Sequence, residues 1–278
     1  MELFFDSGAT KCDAILLDGN GRYLRHSTGE GINATYMSDS DIRKILEGLR
    51  DQTGSEFQRI TFCGAGCGNP DNAARIQTIL QELYNINISN IEVISDLVGA
   101  CRLLCNGHSG MVAILGTGAS ACLYDGSRII AQAPSLGYLL GDEGSGTYLG
   151  KLLIQSYLRN ELPEVIARNL EKECSINPKE VIRRLYREPS PNRFLASFAR
   201  YLGDHRDVPE LRNILNQGFT DFFRTQIDPL RPYNIYILHL MGSVAYHFRD
   251  IIGEIAQKNG CSLGKVAASP LDFFQKQA

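Results

Sequence analysis

The stretch LFFDSGATKCDAILLDGNG, residues 3–21, decides the fold of this chain. An apolar run meets an acid at Asp6, turns at once through small residues, and continues as a second apolar run that ends in Asp-Gly. Glycine and asparagine tolerate the positive φ of tight turns, so the stretch predicts a strand hairpin followed by a third strand. The stretch VAILGTGASACLYDGSR, residues 112–128, repeats this order of strand, small-residue turn, strand and Asp-Gly. The repetition predicts two related lobes that arose by duplication.

Strands and helices alternate along the first hundred residues in the order β-β-β-α-β-α-β-α, which is typical of layered α/β domains. The pattern restarts near residue 108, and the second half is richer in helix, with one helix expected over 208–228 and a buried strand over 234–240. We predict an N-terminal lobe at residues 1–107 and a C-terminal lobe at 108–278, with the last residues of the chain packing back on the first lobe. Because no low-complexity linker separates the lobes, we expect them to enclose a cleft.

Composition and charge disfavour several classes of protein. The 278 residues carry a formal net charge of −3 and no basic stripe, so we expect no nucleic-acid partner. No apolar run approaches the roughly 20 residues of a membrane span, and no secretory leader is visible, so we expect a cytoplasmic protein with no membrane partner. The eight cysteines are then expected to be free and mostly buried, since neither Cys63 with Cys67 nor Cys101 with Cys105 has the usual zinc spacing.

Three small-residue turns, each directly after a buried strand, indicate phosphate binding: residues 6–10, 116–120 and 242–245. Their backbone N–H groups can converge on an anion, and glycine lets a phosphate approach without a Cβ clash. Hydroxyl groups that can add hydrogen bonds belong to Thr10, Thr117, Ser120 and Ser243. The chain has neither a Walker A motif nor a G-x-G-x-x-G fingerprint, which disfavours P-loop and Rossmann sites.

Acidic residues near predicted turns are the candidates for chemistry. Asp96 ends a predicted strand and begins a helix, at the sheet edge where α/β sites form. It caps that helix, acts as a catalytic base, or does both. Asp142 and Glu143 lie in a glycine-bounded loop, where adjacent acids are either solvated or bind hydroxyl groups of a ligand.

Several motifs resemble those of a known superfamily. DSGATKCDAILLD, LGTGASACLYDG and MGSVA look like the phosphate-1, phosphate-2 and adenosine motifs of the sugar kinase, actin and heat-shock chaperone ATPases. LGYLLGDEGSGTYLGK, SDLVGA and GINATY resemble, more narrowly, the N-acetylglucosamine kinase family, which is grouped with the activator ATPases of benzoyl-CoA reductase and 2-hydroxyacyl-CoA dehydratase. The resemblance spans nearly the whole chain. It implies an α/β fold of two related ribonuclease H-like (actin-like ATPase) lobes, each with a mixed sheet flanked by helices.

The same resemblance implies ATP and Mg²⁺ as cofactors and gives roles to individual residues. Asp6 would hold the Mg²⁺ through water, and Asp96 would take the proton of the attacking sugar hydroxyl. The implied nucleotide contacts are Asp6, Gly8, Thr10, Lys11, Gly116, Thr117, Gly118, Gly242 and Ser243. The implied sugar contacts are Asn33, Gly66, Cys67, Asp96, Thr117, Gly118, Asp142 and Glu143.

The leading hypothesis is an ATP-dependent kinase that phosphorylates a hydroxyl of an amino sugar, with N-acetylglucosamine as the favoured acceptor and a homodimer as the family-based expectation. Leu136 stands where some of these kinases have tryptophan, which leaves the identity of the sugar open. An activator-type ATPase with an iron–sulfur cluster on Cys63 and Cys67 is one alternative, and a non-catalytic sugar sensor is another. Keeping Asp6, Asp96 and Asp142 disfavours the sensor, because sensing alone does not need all three carboxylates.

Overall fold

The computed structural model describes residues 1–276. The chain forms two compact units. The first unit comprises Met1–Asn106 together with the C-terminal segment that begins at Ser269, and the second unit is Gly107–Ala268. Within the first unit, the ring of Phe274 in the C-terminal segment lies 5.0 Å from the ring of Phe4, centroid to centroid. In the described residues, no helix is both long enough and apolar enough to cross a membrane.

The first unit is built on a five-stranded mixed sheet in the order β3-β2-β1-β4-β5. Its strands are β1 (Glu2–Ser7), β2 (Lys11–Leu17), β3 (Tyr23–Glu30), β4 (Arg59–Gly64) and β5 (Ile91–Ser95). Its helices are α1 (Asp39–Thr53), α2 (Pro70–Tyr84) and α3 (Asp96–Cys105). The hairpin strands β1, β2 and β3 are antiparallel, whereas β4 and β5 run parallel to β1. The C-terminal ends of β1, β4 and β5 therefore meet at one edge of the sheet.

Local signals explain where the first two helices begin. The Ser38 side chain accepts a hydrogen bond from the Asp41 N–H and caps α1, and the Asn69 side chain does the same for α2 ahead of Pro70. Apolar residues at helical spacing on α1 and α2 face the sheet, so helix and sheet side chains form one hydrophobic core. That core includes Phe5, Phe62, Ile42, Leu46, Ile76 and Leu80. Both helices are thus held on the sheet that positions the turns.

The second unit repeats the sheet with the order β10-β9-β6-β7-β8. Its strands are β6 (Gly110–Leu115), β7 (Ala119–Tyr124), β8 (Ile129–Gln132), β9 (Ile237–Met241) and β10 (Ser262–Ala267). Its helices are α4 (Gly137–Leu140), α5 (Gly146–Leu158), α6 (Glu164–Cys174), α7 (Pro178–Arg187), α8 (Pro191–Asp204), α9 (Pro209–Phe222), α10 (Ser243–His247) and α11 (Arg249–Lys258), and the C-terminal segment carries α12 (Leu271–Gln275). The pairing directions match those of the first unit strand for strand, so the prediction of two related lobes is confirmed.

In the second unit one expectation was wrong in detail, and one strand was not predicted. The α-helix expected over 208–228 ends at Phe222, where a π-helical turn and then a 3₁₀ segment follow. Pro229 stops the preceding helix from continuing past Asp228, because proline has no N–H for a helical hydrogen bond and restricts the residue before it. The strand β8 was not predicted, since four residues at a sheet edge give little periodic signal.

Candidate active site

The first predicted phosphate turn joins β1 to β2 in the first unit. The Gly8 N–H donates to the carbonyl oxygen of Lys11 at 3.0 Å and closes the turn. Gly31 packs directly on this turn, and its N–H donates to the Thr10 carbonyl oxygen at 3.1 Å. A Cβ atom at Gly31 would lie 2.3 Å from the Gly8 carbonyl oxygen, so only glycine fits there. The backbone of the turn is therefore fixed by the loop that follows β3.

Two carboxylates face each other across this hairpin. Asp6 pairs in register with Asp13, so both side chains project from the same face of the sheet. Asp13 is only 1% exposed and accepts hydrogen bonds from Lys11 Nζ at 2.6 Å and from Thr28 Oγ1 at 2.7 Å. Lys11, expected at the phosphates, is thus ion-paired with Asp13. Asp13 is not among the residues predicted from the sequence, although a single acid inside the apolar run of β2 is a usable signal.

The surroundings of Asp6 suit a cation. Burial, followed by the negative charges of Asp13 and Asp96, raises the pKa of Asp6 from 3.8 to about 7. A bound cation would relieve this accumulation of negative charge. Within residues 1–276, no three His, Cys, Asp or Glu side chains are grouped closely enough to hold a metal ion. A buried carboxylate with a raised pKa, such as Asp6, fits a cation such as Mg²⁺, which keeps several waters and takes few protein ligands.

Asp96 is the first residue of α3 and is not the N-cap of that helix. Ser95 is the N-cap, because its Oγ accepts from the Val98 N–H at 3.2 Å, so the alternative in which Asp96 caps the helix is wrong. Asp96 Oδ1 accepts from the Leu97 N–H at 2.8 Å. Burial raises the pKa of Asp96 above its usual value, and the backbone hydrogen bonds offset part of that rise. A carboxylate that is partly desolvated in this way is a stronger base than an exposed one.

The predicted sugar contacts of the first unit lie on neighbouring loops. Asn33 forms an isolated parallel bridge with Ala65, next to Gly66. Gly66 has a φ of +82°, and a Cβ there would lie 2.9 Å from Asn33 Oδ1. Cys67 is 4% exposed, and burial followed by the charge of Asp96 raises the pKa of its thiol to about 12. Cys67 is therefore a neutral thiol within electrostatic reach of Asp96.

The second predicted phosphate turn joins β6 to β7 in the second unit. The Gly116 N–H donates to the Gly118 carbonyl oxygen at 3.0 Å. Asp142 reaches the turn, because its Oδ1 accepts from the Ala119 N–H at 3.3 Å. The main chain at Asp142 adopts a φ of 59°, which is uncommon for a residue with a side chain. The strained loop thus holds the Asp142 carboxylate against the phosphate turn.

The predicted adenosine turn packs on the same framework of the second unit. Gly242 has a φ of +114°, and a Cβ there would lie 2.3 Å from the Leu115 carbonyl oxygen, so glycine is required. Gly146, at the start of α5, donates its N–H to the Gly116 carbonyl oxygen at 2.8 Å, and a Cβ on it would lie 3.4 Å from Val244. Gly146 therefore joins the phosphate turn, the acidic loop and the adenosine turn.

Each unit brings together its own share of the predicted residues. Those of the first unit are Asp6, Gly8, Thr10, Lys11, Asn33, Gly66, Cys67 and Asp96. Those of the second unit are Gly116, Thr117, Gly118, Asp142, Glu143, Gly242 and Ser243. A further residue that the sequence did not reveal is Thr147, a buried threonine whose Oγ1 donates to the Thr117 carbonyl oxygen at 2.6 Å. It fixes the phosphate turn to α5.

Comparisons with known proteins identify relatives of this chain. No protein-family model matches the chain. A ROK family glucokinase from Streptomyces griseus, solved with glucose and AMPPNP, superimposes with a TM-score of 0.57 at 15% identity, covering 96% of this chain and 94% of that one. A curated N-acetyl-D-glucosamine kinase from Dictyostelium discoideum is 25% identical over 169 residues, which is 55% of this chain and 53% of the relative. The match thus spans about half the length of that curated relative.

The fold is the two-lobed actin-like ATPase fold that sugar kinases use. A crystal structure from Porphyromonas gingivalis, of a protein provisionally named N-acetylglucosamine kinase, is 34% identical to this chain with a TM-score of 0.91. That match covers 100% of this chain and 98% of the other. The chain therefore belongs to the N-acetylglucosamine kinase family of sugar kinases.

Proposed function

We propose that this protein is an ATP-dependent kinase that phosphorylates a hydroxyl of an amino sugar, with N-acetylglucosamine as the first candidate acceptor. The observation that carries the proposal is the 34% identity over the whole chain to a protein provisionally named for that activity. The name of the curated Dictyostelium relative supports the same acceptor. AMPPNP in the glucokinase structure supports ATP as the phosphate donor.

In the proposed reaction, Asp96 accepts the proton of the attacking hydroxyl. The bond between that oxygen and the γ-phosphorus forms while the bond between the γ-phosphorus and the β,γ-bridging oxygen breaks, which leaves ADP and a sugar phosphate. The raised pKa of Asp96 supports this role, since a base that binds protons more tightly removes one more readily. The position of Asp96 where β5 ends, with Ser95 taking the cap, supports it further.

The remaining residues bind and orient the reactants. Backbone N–H groups of residues 9–10 and 117–118 in the two phosphate turns would hold the phosphates, and Gly242 and Ser243 would lie against the adenosine. Asn33, Asp142 and Glu143 would bind sugar hydroxyls, because charged and amide groups give directional recognition. Asp6 would hold Mg²⁺ through water, and the ion, when bound, neutralises charge on the phosphates.

The burial of the cysteines argues against the activator ATPase. A cluster shared between subunits needs thiolates that reach the surface of each subunit. Cys63 and Cys67 are both buried, and burial raises the pKa of each thiol. The two side chains are therefore poorly suited to hold such a cluster in this conformation.

The test is ADP release from Mg-ATP, with and without N-acetylglucosamine, N-acetylmannosamine, glucosamine or glucose. We expect release that depends on one amino sugar and is lost in Asp96→Asn, which keeps the shape of the side chain. Hydrolysis that proceeds equally without sugar would favour an activator-type ATPase instead. Sugar binding without any turnover would favour a sensor.

A further inference from the structure

Polar side chains at the start of α2 hold the loop that carries Asn33. This loop, residues 31–37, is called the Asn33 loop below. Arg75 donates from Nη1 to the Ala34 carbonyl oxygen at 2.9 Å and from Nη2 to the Met37 carbonyl oxygen at 3.0 Å. The same guanidinium contacts Asp39 Oδ1, at 2.9 Å from Nε and 2.6 Å from Nη2. One planar group thus fixes both the middle and the end of the loop.

Asn72, one turn earlier on α2, connects the Asn33 loop to the glycine-rich loop after β4. Its Nδ2 donates to the Gly66 carbonyl oxygen at 3.1 Å and lies 3.5 Å from Thr35 Oγ1. Its Oδ1 accepts from Arg75 Nη1 at 3.2 Å, so the two side chains orient each other. The pair therefore fixes the position of the Asn33 loop relative to Gly66.

The side chain of Asn33 is itself oriented by this loop. Asn33 Oδ1 accepts from the Thr35 N–H at 3.0 Å. The amide oxygen is therefore bonded within the loop, and the Nδ2 donor points away from this hydrogen bond. Gly66 packs so closely that a Cβ would lie 2.5 Å from Thr35 Oγ1. A shift of either loop would therefore turn the Asn33 amide.

We propose that Asn72 and Arg75 are positioning residues for the sugar subsite, and that they hold Asn33 so that its amide nitrogen donates to an acceptor oxygen of the sugar. This inference rests on the proposed function, in which Asn33 contacts the sugar. Neither Asn72 nor Arg75 is expected to touch the substrate. They act by fixing residues 34–37 of the loop, whereas Gly31 at its start is held to the phosphate turn by its own N–H bond to the Thr10 carbonyl oxygen. Their loss therefore weakens sugar binding and leaves nucleotide binding alone.

The experiment compares Asn72→Ala, Arg75→Ala and Arg75→Lys with the matched control Gln77→Ala. Gln77 is also on α2 and donates from Nε2 to the carbonyl oxygens of Ile91, at 2.9 Å, and Ile88, at 3.3 Å, away from the Asn33 loop. We expect the KM for sugar to rise about tenfold in the two alanine variants, the size of one lost ordering hydrogen bond. The KM for ATP and kcat at saturating sugar should stay at the values of the control.

Lysine cannot reproduce the planar fork of arginine, so Arg75→Lys should restore little of the sugar affinity. Asn33→Asp gives a second readout, because aspartate still accepts from the Thr35 N–H but has no donor for the sugar. We expect it to lose sugar binding in calorimetric titration while its melting temperature stays near that of the wild type.

The outcomes separate this inference from the proposed function. If the wild type turns over sugar and both alanine variants keep the sugar KM of Gln77→Ala, the inference is wrong and the kinase proposal stands. If the wild type binds sugar in the titration without turnover, the activity is wrong, and loss of binding in Asn72→Ala and Arg75→Ala supports the inference. A wild type that neither binds nor phosphorylates any sugar of the panel overturns both.

Discussion

Replacing Gly31 by alanine should disturb the first phosphate turn from outside the turn itself. The added Cβ would lie 2.3 Å from the Gly8 carbonyl oxygen, 2.6 Å from the Thr10 nitrogen and 2.7 Å from the Ala9 carbonyl carbon. All three atoms belong to the backbone, so no side chain can rotate out of the way. An ordinary contact begins near 3.4 Å, and the turn or the Asn33 loop must therefore move by roughly 1 Å.

The size of this displacement sets the expected effects. Forcing an extra carbon into a packed site lowers the free energy of unfolding by about 1–3 kcal/mol. A misplacement of about 1 Å in groups that orient a reactant costs on the order of 100-fold in rate. We therefore expect Gly31→Ala to remain folded at 25 °C, to melt at a lower temperature, and to lose about 100-fold in kcat/KM for ATP.

The assay is steady-state ADP release at saturating sugar with varied Mg-ATP, together with thermal unfolding. Gly48→Ala is the matched control, because Gly48 lies in α1 of the same unit and a Cβ there meets nothing within 4 Å. Alanine in a helix should raise the unfolding free energy by about 0.5–1 kcal/mol. A Gly31→Ala variant with the kcat/KM of the control would refute the idea that the close contact of Gly31 fixes the phosphate turn.

Three other substitutions test separate parts of the site. Asp13→Asn should lower the free energy of unfolding by about 1–3 kcal/mol, because a buried hydrogen bond to the charged Lys11 is weakened, and urea denaturation will show whether it does. Asp96→Asn should lower kcat by about 10²–10⁴-fold. Because folding raises the pKa of Asp96, ionisation of this carboxylate disfavours the folded state as the pH rises above the unfolded value of 3.8. Asp96→Asn should thus melt higher than the wild type at neutral pH and lose that advantage below about pH 4, and an equal difference at every pH would contradict this. Gly242→Ala should destabilise the protein through its positive φ and its contact with the Leu115 carbonyl, and unaltered melting would be the contrary result.

The parts of the site that follow from short stretches of sequence were predictable. A strand followed directly by a small-residue turn has a recognisable local pattern. The positions of the turns at Gly8 and Gly116 could therefore be predicted without knowing the rest of the fold. The requirement for glycine at Gly242 also has a local signal, since the residue directly follows a buried strand. The register of the hairpin places Asp13 opposite Asp6. Counting residues along β1 and β2 outward from the turn would have predicted this pair.

Contacts between distant parts of the chain could not be predicted in the same way. Arg75 binds the carbonyl oxygen of Ala34, 41 positions earlier, and nothing in the spacing of either segment encodes that distance. Carbonyl oxygens carry no side-chain signature, so a sequence cannot show which of them an arginine will bind. The choice of Ser95 over Asp96 as helix cap was open for a related reason, because both residue types cap well and adjacent positions compete.

The two units have the same strand topology, but the predicted functional residues are not equivalent in the two. In each unit the turn between the first two strands carries the predicted phosphate contacts, and the connection after the third strand carries a predicted sugar contact, Asn33 in one and Asp142 in the other. The connection after the fifth strand differs, because β5 is followed directly by Asp96, whereas β10 is followed by Ala268 and Ser269. A base at that position therefore exists in the first unit alone. The second unit offers no carboxylate at the equivalent place that could substitute for it, which is why a single change at Asp96 is expected to remove most of the proposed activity while leaving both sheets intact.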